Sequence, residues 1–216
     1  SFWSLSCVFF WSANNNAQAL FWNRWLMAGA ILIPATFLHF ILVYLELDKK
    51  HRIWIIMNYL LCLFFLLIIP SPLFTKRIIP LYGFQFWPEP GIMLHPYFIW
   101  FAGNVISAHL LMRNRLAMLR GAKQLQLKYV FIGTLIGFVG GSTNFFMWYK
   151  IPVPPVASPL VAVFAIMVAY AIIRHQLMDI EVVIKRTFVY SALLLAISAT
   201  YAVFIIFMSQ LLQGLI

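Results

Sequence analysis

The stretch AQALFWNRWLMAGAILIPATFLHFILVYLEL, residues 17–47, decides the fold of this chain. It is longer than the ~20 apolar residues that cross a hydrocarbon core of ~30 Å. A backbone in contact with lipid must satisfy its own hydrogen bonds, which restricts it to helices or closed barrels. The sequence lacks the alternating pattern of a transmembrane barrel strand. We therefore expect residues 17–47 to form a long transmembrane helix that is kinked or tilted near Pro34.

The rest of the chain has the same character. Of its 216 residues, 64% are hydrophobic and 9% are charged, whereas soluble proteins have roughly 25% charged residues. The opening run, residues 1–12, is too short to span a membrane at about 1.5 Å per residue. The other apolar runs are residues 53–69, 92–112, 129–149, 158–173 and 187–210. The sequence predicts an all-α, polytopic transmembrane bundle with about six full spans and one truncated N-terminal helix.

Basic residues are distributed unevenly over the loops between these runs. The alternate loops that begin with 48–52 carry eleven Lys and Arg residues, and the opposite loops carry three, Lys76, Arg77 and Lys150. Because excess Lys and Arg mark cytoplasmic loops, we expect loops 48–52, 113–128 and 174–186 to be cytoplasmic. The same bias explains the formal charge of +10. The expected partner is therefore the lipid bilayer, and no nucleic acid is expected.

Residues 74–91 form the longest segment that does not read as a helix, and they are rich in proline and aromatic residues. The segment is too apolar for a free linker, so we expect an ordered extracytoplasmic cap on the helix ends. A small-molecule pocket between the cap and the bundle would use Trp87 and His95. A lid that only seals the helix ends is the alternative.

Polar side chains within the spans are further candidates for ligand binding, because ionisable groups in a membrane are costly and often functional. Arg24 is one, although its side chain can also snorkel to the interface beside Trp22 and Trp25. The others are His39, Asn104 and Asn144, for which hydrogen bonds between helices are the alternative explanation. Gly133, Gly137 and Gly141 lie on one stripe of a helix, where small residues permit close packing of a neighbour.

The patterns of most catalytic and metal sites are absent from the sequence. The five histidines form no HxxxH or HxxH pair, and the two cysteines form no CxxC motif. No Ser-His-Asp or Cys-His arrangement is legible either. We therefore expect no metal, no cofactor and no enzymatic activity in this chain.

The run AYAIIRHQLMDIEVVIKR, residues 169–186, joins the predicted spans 158–173 and 187–210. It combines an exit from the membrane, a short amphipathic joint and a basic pair. We interpret it as a signal-transmission joint whose candidate residues are Tyr170, Arg174, His175, Leu177 and Asp179. Arg174 and His175 suit a helix C-terminus, where cations favour the helix dipole. The predicted domains are a sensor bundle over 1–180 and a juxtamembrane elbow with an additional transmembrane helix over 181–216.

These pieces resemble the N-terminal seven-transmembrane region of bacterial membrane histidine kinases. The resemblance is carried by ALFWNRWLMAGAILIP with FLHF, by the cap ending WPEPG, by LKYVFIGTLIG with GGSTN, and above all by YAIIRHQLMDI. Against that family the chain lacks the first helix.

The resemblance implies an input module in the bacterial inner membrane. Such a module receives an unknown small-molecule or membrane stimulus and passes it to a kinase domain absent from this chain, which would form a homodimer. A small-solute transporter or permease fragment is the main alternative, and a membrane-embedded enzyme is a weaker one.

Overall fold

The computed structural model describes residues 2–153, 157 and 160–175. Seven helices and two strands are placed in these ranges. In chain order they are α1 Phe2–Trp11, α2 Asn16–Tyr44, α3 Arg52–Ile68, β1 Thr75–Leu81, β2 Phe84–Pro90, α4 Leu94–Leu116, α5 Gly121–Ser142, α6 Asn144–Trp148 and α7 Leu160–His175. The chain divides into two compact units, Ser1–Val168 and Ala169–Ile216. In the second unit the described residues, 169–175, are helical.

The described residues confirm a predominantly helical fold but do not confirm six full spans. Two helices are long and apolar enough to cross a membrane, Asn16–Tyr44 and Gly121–Trp148, the latter combining α5 and α6. Arg52–Ile68 and Leu160–Tyr170 are apolar but shorter. The predicted span 187–210 lies outside the described residues.

Helix α2 is the centre of the bundle, because it packs against α1, α3, α4 and the strands. Its start is fixed by Asn15, whose side chain accepts a hydrogen bond of 2.9 Å from the backbone N–H of Gln18. Capping of this kind satisfies an N–H group that has no partner within the helix. Pro34 is buried inside the helix. The main core forms around Ile31 and Ala35 together with residues of α3, α4, α6 and the hairpin.

The cap segment is a β-hairpin, which the all-α prediction did not include. Strands β1 and β2 pair antiparallel, with Ile79 opposite Trp87. The turn residues Tyr82 and Gly83 have φ of 47° and 87°, as a two-residue hairpin turn of the favoured twist requires. A two-stranded sheet leaves the outer edge of each strand unpaired, and there prolines such as Pro88 are tolerated.

The two faces of the hairpin pack against different parts of the helical structure. Ile78 and Phe86 pack against Phe10, Ala13 and Ala19, at the corner between α1 and α2. Trp87, the neighbour of Phe86, points to the opposite face and joins the main core. Because successive strand residues face opposite sides, one strand can fill both clusters.

The base of the hairpin brings the end of α3 next to the start of α4. The backbone N–H of Gly91 donates to the carbonyl of Phe74, and that of Met93 donates to the carbonyl of Leu73, both over 2.9 Å. A Cβ at Gly91 would lie 2.1 Å from the Leu73 carbonyl oxygen, so only glycine fits this close backbone approach. The end of α3 and the start of α4 therefore lie next to each other, and the two helices run antiparallel.

Residues 113–128, expected as a cytoplasmic loop, belong largely to two long helices. Helix α4 continues to Leu116 and α5 begins at Gly121. The connection between them is therefore only a few residues long. Gly121 has φ of 64°, a value that suits glycine in the turn that starts α5.

Candidate functional site

Several polar contacts between residues distant in the sequence lie at the hairpin end of the bundle. Buried Asn23 of α2 donates from Nδ2 to the hydroxyl of buried Thr75 in β1 over 3.0 Å. At the tip of the hairpin, the Tyr82 hydroxyl donates to the backbone carbonyl of Lys150 over 2.6 Å. These bonds fix the hairpin at its base to α2 and at its tip to the chain that leaves α6.

The hydrogen bond at the tip joins two residues with unusual backbone conformations. Tyr82 has φ of 47° and Lys150 has φ of 58°. Non-glycine residues are uncommon in this left-handed region, and such conformations persist where surrounding contacts enforce them. We call this pair the tip clamp. Sequence reasoning missed it, because Tyr-Gly is not among the dipeptides, such as Asn-Gly and Asp-Gly, that mark a two-residue hairpin turn.

Aromatic rings fill the space beneath the hairpin. Trp87 is 4% exposed, and its ring centroid lies 5.4 Å from that of Phe84 and 6.0 Å from that of Trp11. The Trp87 Nε1 and the Arg24 Nε are buried and have no hydrogen-bond partner among the described residues. Two predicted ligand-binding residues thus each carry a buried donor that is free to bind an acceptor.

The surface of the hairpin carries an ion pair between its strands. The Arg77 Nε donates to the Glu89 carboxylate over 2.6 Å, and the two residues pair directly in the sheet register. This hydrogen bond lowers the pKa of the Glu89 carboxyl, and the nearby charges of Arg77, Lys76 and Lys150 lower it further. Glu89 is therefore an anion near neutral pH.

His95 lies at the start of α4 and contacts the end of α6. Its Nδ1 and the Tyr149 hydroxyl are 2.8 Å apart. A phenol hydroxyl can both donate and accept a hydrogen bond, so Tyr149 can share its proton with His95. Because Lys150 in the tip clamp follows Tyr149 directly, two adjacent residues after α6 bind the hairpin and α4.

The remaining predicted ligand-binding residues lie elsewhere. Asn144, at the start of α6, donates from Nδ2 to the Gly141 carbonyl over 3.0 Å. His39, in the half of α2 distant from the hairpin, lies 3.0 Å from the Tyr59 hydroxyl of α3. Asn104 is buried in the middle of α4, where its Nδ2 donates to the Trp100 carbonyl over 2.8 Å and its Oδ1 has no partner. The six candidates therefore do not form one site around the hairpin.

The glycines of α5 lie against α7. A Cβ would lie 3.2 Å from the Met167 Cβ at Gly133 and 2.9 Å from the Phe164 Cβ at Gly137. At Gly141 it would be 3.5 Å from Val161, which is ordinary contact. Gly140, which sequence reasoning did not select, has the tightest contact, 2.6 Å from both the Ala157 carbonyl oxygen and the Leu160 Cβ. Its spacing of three from Gly137 was the available signal.

The predicted transmission joint is described only at its beginning. Tyr170 is helical and 49% exposed, and Arg174 and His175 belong to the last turn of α7. Leu177 and Asp179 lie outside the described residues. Among the residues that the structure describes, no group of three His, Cys, Asp or Glu residues is placed to hold a metal ion.

Residues 1–181 match the family model described as the N-terminal 7TM region of histidine kinase. The match includes every helix and strand described above. No curated protein and no solved structure matches the chain.

Proposed function

The chain belongs to the family of N-terminal 7TM regions of histidine kinases, the membrane-bound sensory part of these proteins, and we propose that it receives a stimulus outside the cytoplasm or within the bilayer. It passes this stimulus to a cytoplasmic kinase domain that is not part of the chain. The observation that carries the proposal is the family match over residues 1–181. Homodimerisation is assigned to the kinase region rather than to this chain.

The proposed location is the bacterial inner membrane, crossed several times, with residues 48–52, 113–128 and 174–186 in the cytoplasm. The distribution of Lys and Arg supports this orientation. In that orientation the hairpin and the tip clamp face the extracytoplasmic side. The two buried donors on Arg24 and Trp87 then lie at the end of the bundle that an external ligand reaches first.

A stimulus changes output only if it binds one arrangement of the bundle better than another. The tip clamp supports a route for such a change, because it links the hairpin to the chain segment between α6 and α7. The glycines of α5 let α7 pack closely, so a shift of this segment is passed to a closely fitted helix pair. The proposed output is movement of the joint at residues 174–186.

The test uses the full-length protein in native membranes, with autophosphorylation on histidine as the readout. Replacing Tyr82 by Phe removes only the hydroxyl that binds the Lys150 carbonyl, and we expect it to change basal phosphorylation at least about twofold, since a hydrogen bond contributes ~1 kcal/mol. Tyr44→Phe is the matched control, because the structure gives the Tyr44 hydroxyl no hydrogen bond among the described residues.

Two results would contradict the proposal. One is a full-length protein that does not phosphorylate itself on histidine. The other is a phosphorylation level that stays the same when Tyr82 is replaced and when residues 174–186 are immobilised by cross-linking. Substrate flux in liposomes containing the isolated chain would instead support a transporter.

A further inference from the structure

A groove of about 270 Å³ lies between α3 and α4. Each helix contributes four residues at positions i, i+3, i+4 and i+7, a spacing that places them on one face. Helix α3 contributes Trp54, Met57, Asn58 and Leu61. Met57 is 52% exposed and Leu61 is 40% exposed. The groove therefore opens on the outside of the bundle, where lipid contacts a membrane protein.

The two helices present the same polar motif to the groove. In each, a tryptophan is followed four residues later by an asparagine whose Nδ2 donates to the tryptophan carbonyl. Asn58 donates to Trp54 over 3.0 Å, and Asn104 donates to Trp100 over 2.8 Å. Because a carbonyl can only accept, these bonds fix the orientation of both amides. Both Oδ1 atoms are thereby left to accept hydrogen bonds from elsewhere.

One of the two possible bonds across the groove is made. The indole Nε1 of Trp100 donates to Asn58 Oδ1 over 2.9 Å. Because α3 and α4 run antiparallel, the residue four positions before Asn58 lies opposite the residue four positions after Trp100. These two residues are Trp54 and Asn104. The equivalent bond would therefore join the Trp54 indole to Asn104 Oδ1.

That second bond is missing. Asn104 is 4% exposed and its buried Oδ1 has no partner. Among the described residues, the Trp54 indole also has no hydrogen bond. The groove thus holds an unpaired acceptor, Asn104 Oδ1, and an unpaired donor, the Trp54 indole, at equivalent positions on its two walls. The Ser107 hydroxyl, which also lines the groove, has no hydrogen bond among the described residues either.

Gly103 keeps this part of the groove open. A Cβ at Gly103 would meet no atom within 4 Å, so packing against a neighbour does not require glycine here. Glycine in a helix interior is less favourable than alanine by about 1 kcal/mol. The missing side chain leaves space beside Asn104 that a ligand can occupy.

We propose that this groove binds a small, neutral, lipid-soluble molecule with a hydroxyl group. A hydroxyl donates and accepts at once, so it can donate to Asn104 Oδ1 and accept from the Trp54 indole. None of the residues that line the groove is charged, and its volume is slightly below the ~300 Å³ of the smallest drug-sized pockets. An unpaired buried acceptor is costly in lipid, so an alcohol is preferred over an alkane. The proposal that this molecule binds in the groove is independent of the function proposed above. The proposal that it is the stimulus of the sensor rests on that function.

The test uses a photoreactive octanol with a diazirine on its chain, applied to the full-length protein in native membranes. Labelled peptides are located by mass spectrometry. We expect the label on residues 54–61 and 100–107. The methyl ether of the same probe accepts a hydrogen bond but cannot donate one to Asn104. Its labelling of these peptides should be lower by about tenfold or more, the factor that corresponds to about 1.4 kcal/mol.

Gly103→Leu should abolish the labelling, because a Cβ at this position meets no atom within 4 Å and the rest of the new side chain would occupy the groove. Ala102→Leu is the matched control, since Ala102 is exposed on the same helix and does not line the groove.

Equal labelling by the alcohol and the ether, or labelling that survives in Gly103→Leu, overturns the site. If labelling behaves as expected but octanol leaves autophosphorylation unchanged, the site stands and its role as the sensory input is lost. If Tyr82→Phe changes phosphorylation while the groove is not labelled, the proposed function stands and the site is lost.

Discussion

Tyr82 and Lys150 occupy backbone conformations that glycine or asparagine would adopt more readily, and a single hydrogen bond connects them. A hairpin turn of Asn-Gly would form without strain, but it would lack the hydroxyl that reaches the Lys150 carbonyl. The residue choice therefore favours the link between hairpin and helices over the local stability of the turn.

The Arg77–Glu89 pair makes the hairpin sensitive to acid. The Glu89 pKa lies below its ordinary value of 4.5 because Arg77 donates a hydrogen bond to the carboxylate. A lowered folded-state pKa means that the pair stabilises the hairpin above the ordinary pKa and that this contribution is lost as the pH falls through the lowered value. The side chain of Arg77 is 66% exposed, so the contribution is below about 1 kcal/mol.

Carbon NMR of the Glu89 carboxyl checks this prediction. Replacing Arg77 by Gln should raise the Glu89 pKa toward its ordinary value. Lys49→Gln, at the opposite end of the bundle, should leave it unchanged. An unchanged titration in Arg77→Gln would show that the ion pair is not formed in the membrane.

At the scale of elements, the contact between α5 and α7 depends on particular glycines. A Cβ at Gly137 would lie 2.9 Å from the Phe164 Cβ, an atom held by its own backbone, so the helices must separate. We expect Gly137→Ala to destabilise the protein by about 1–3 kcal/mol, the usual cost of overpacking.

Gly141→Ala is the matched control, because its Cβ would be in ordinary contact with Val161 at 3.5 Å. It should be neutral, or stabilising by up to about 1 kcal/mol through helix propensity. Unfolding in mixed detergent micelles measures both variants. Equal stabilities for the two would mean that α7 does not pack on the Gly137 face.

The positions of α2 and α3 could be predicted from apolar runs alone, whereas α5 begins eight residues before its apolar run, which starts at residue 129. Residues 17–47 and 53–69 correspond to α2, Asn16–Tyr44, and α3, Arg52–Ile68, within a few residues. The hairpin was not predicted, because its prolines argue against strands unless both edges are known to be free. The groove was not predictable either, since the unpaired state of Asn104 Oδ1 depends on the antiparallel placement of α3 and α4. Contacts between elements that are distant in the sequence leave no periodic pattern in the sequence, so they cannot be predicted from periodicity.

At the scale of the whole molecule, three segments that connect or end helices lie at the same end of the bundle. Trp11, the last residue of α1, has its ring centroid 5.2 Å from that of Phe84 in the hairpin, and Tyr82 binds Lys150 after α6. The turn before α2, the hairpin and the end of α6 therefore share one end. Helices α2 and α4 both start there, and with 29 and 23 residues they carry the chain to the opposite end. Most Lys and Arg residues follow them there.

This arrangement predicts which residues a membrane-impermeant maleimide reaches in intact cells. Lys76 in the hairpin and Lys123 in α5 are both exposed, so cysteines at these positions should not disturb packing. Because excess positive charge is retained in the cytoplasm, Lys76→Cys should be labelled in intact cells and Lys123→Cys only after permeabilisation. The parent protein is the control, since Cys62 is buried and Cys7 lies within the apolar helix α1. The reverse pattern would place the hairpin in the cytoplasm, and a stimulus arriving from outside would then have to enter at the end that carries the basic loops.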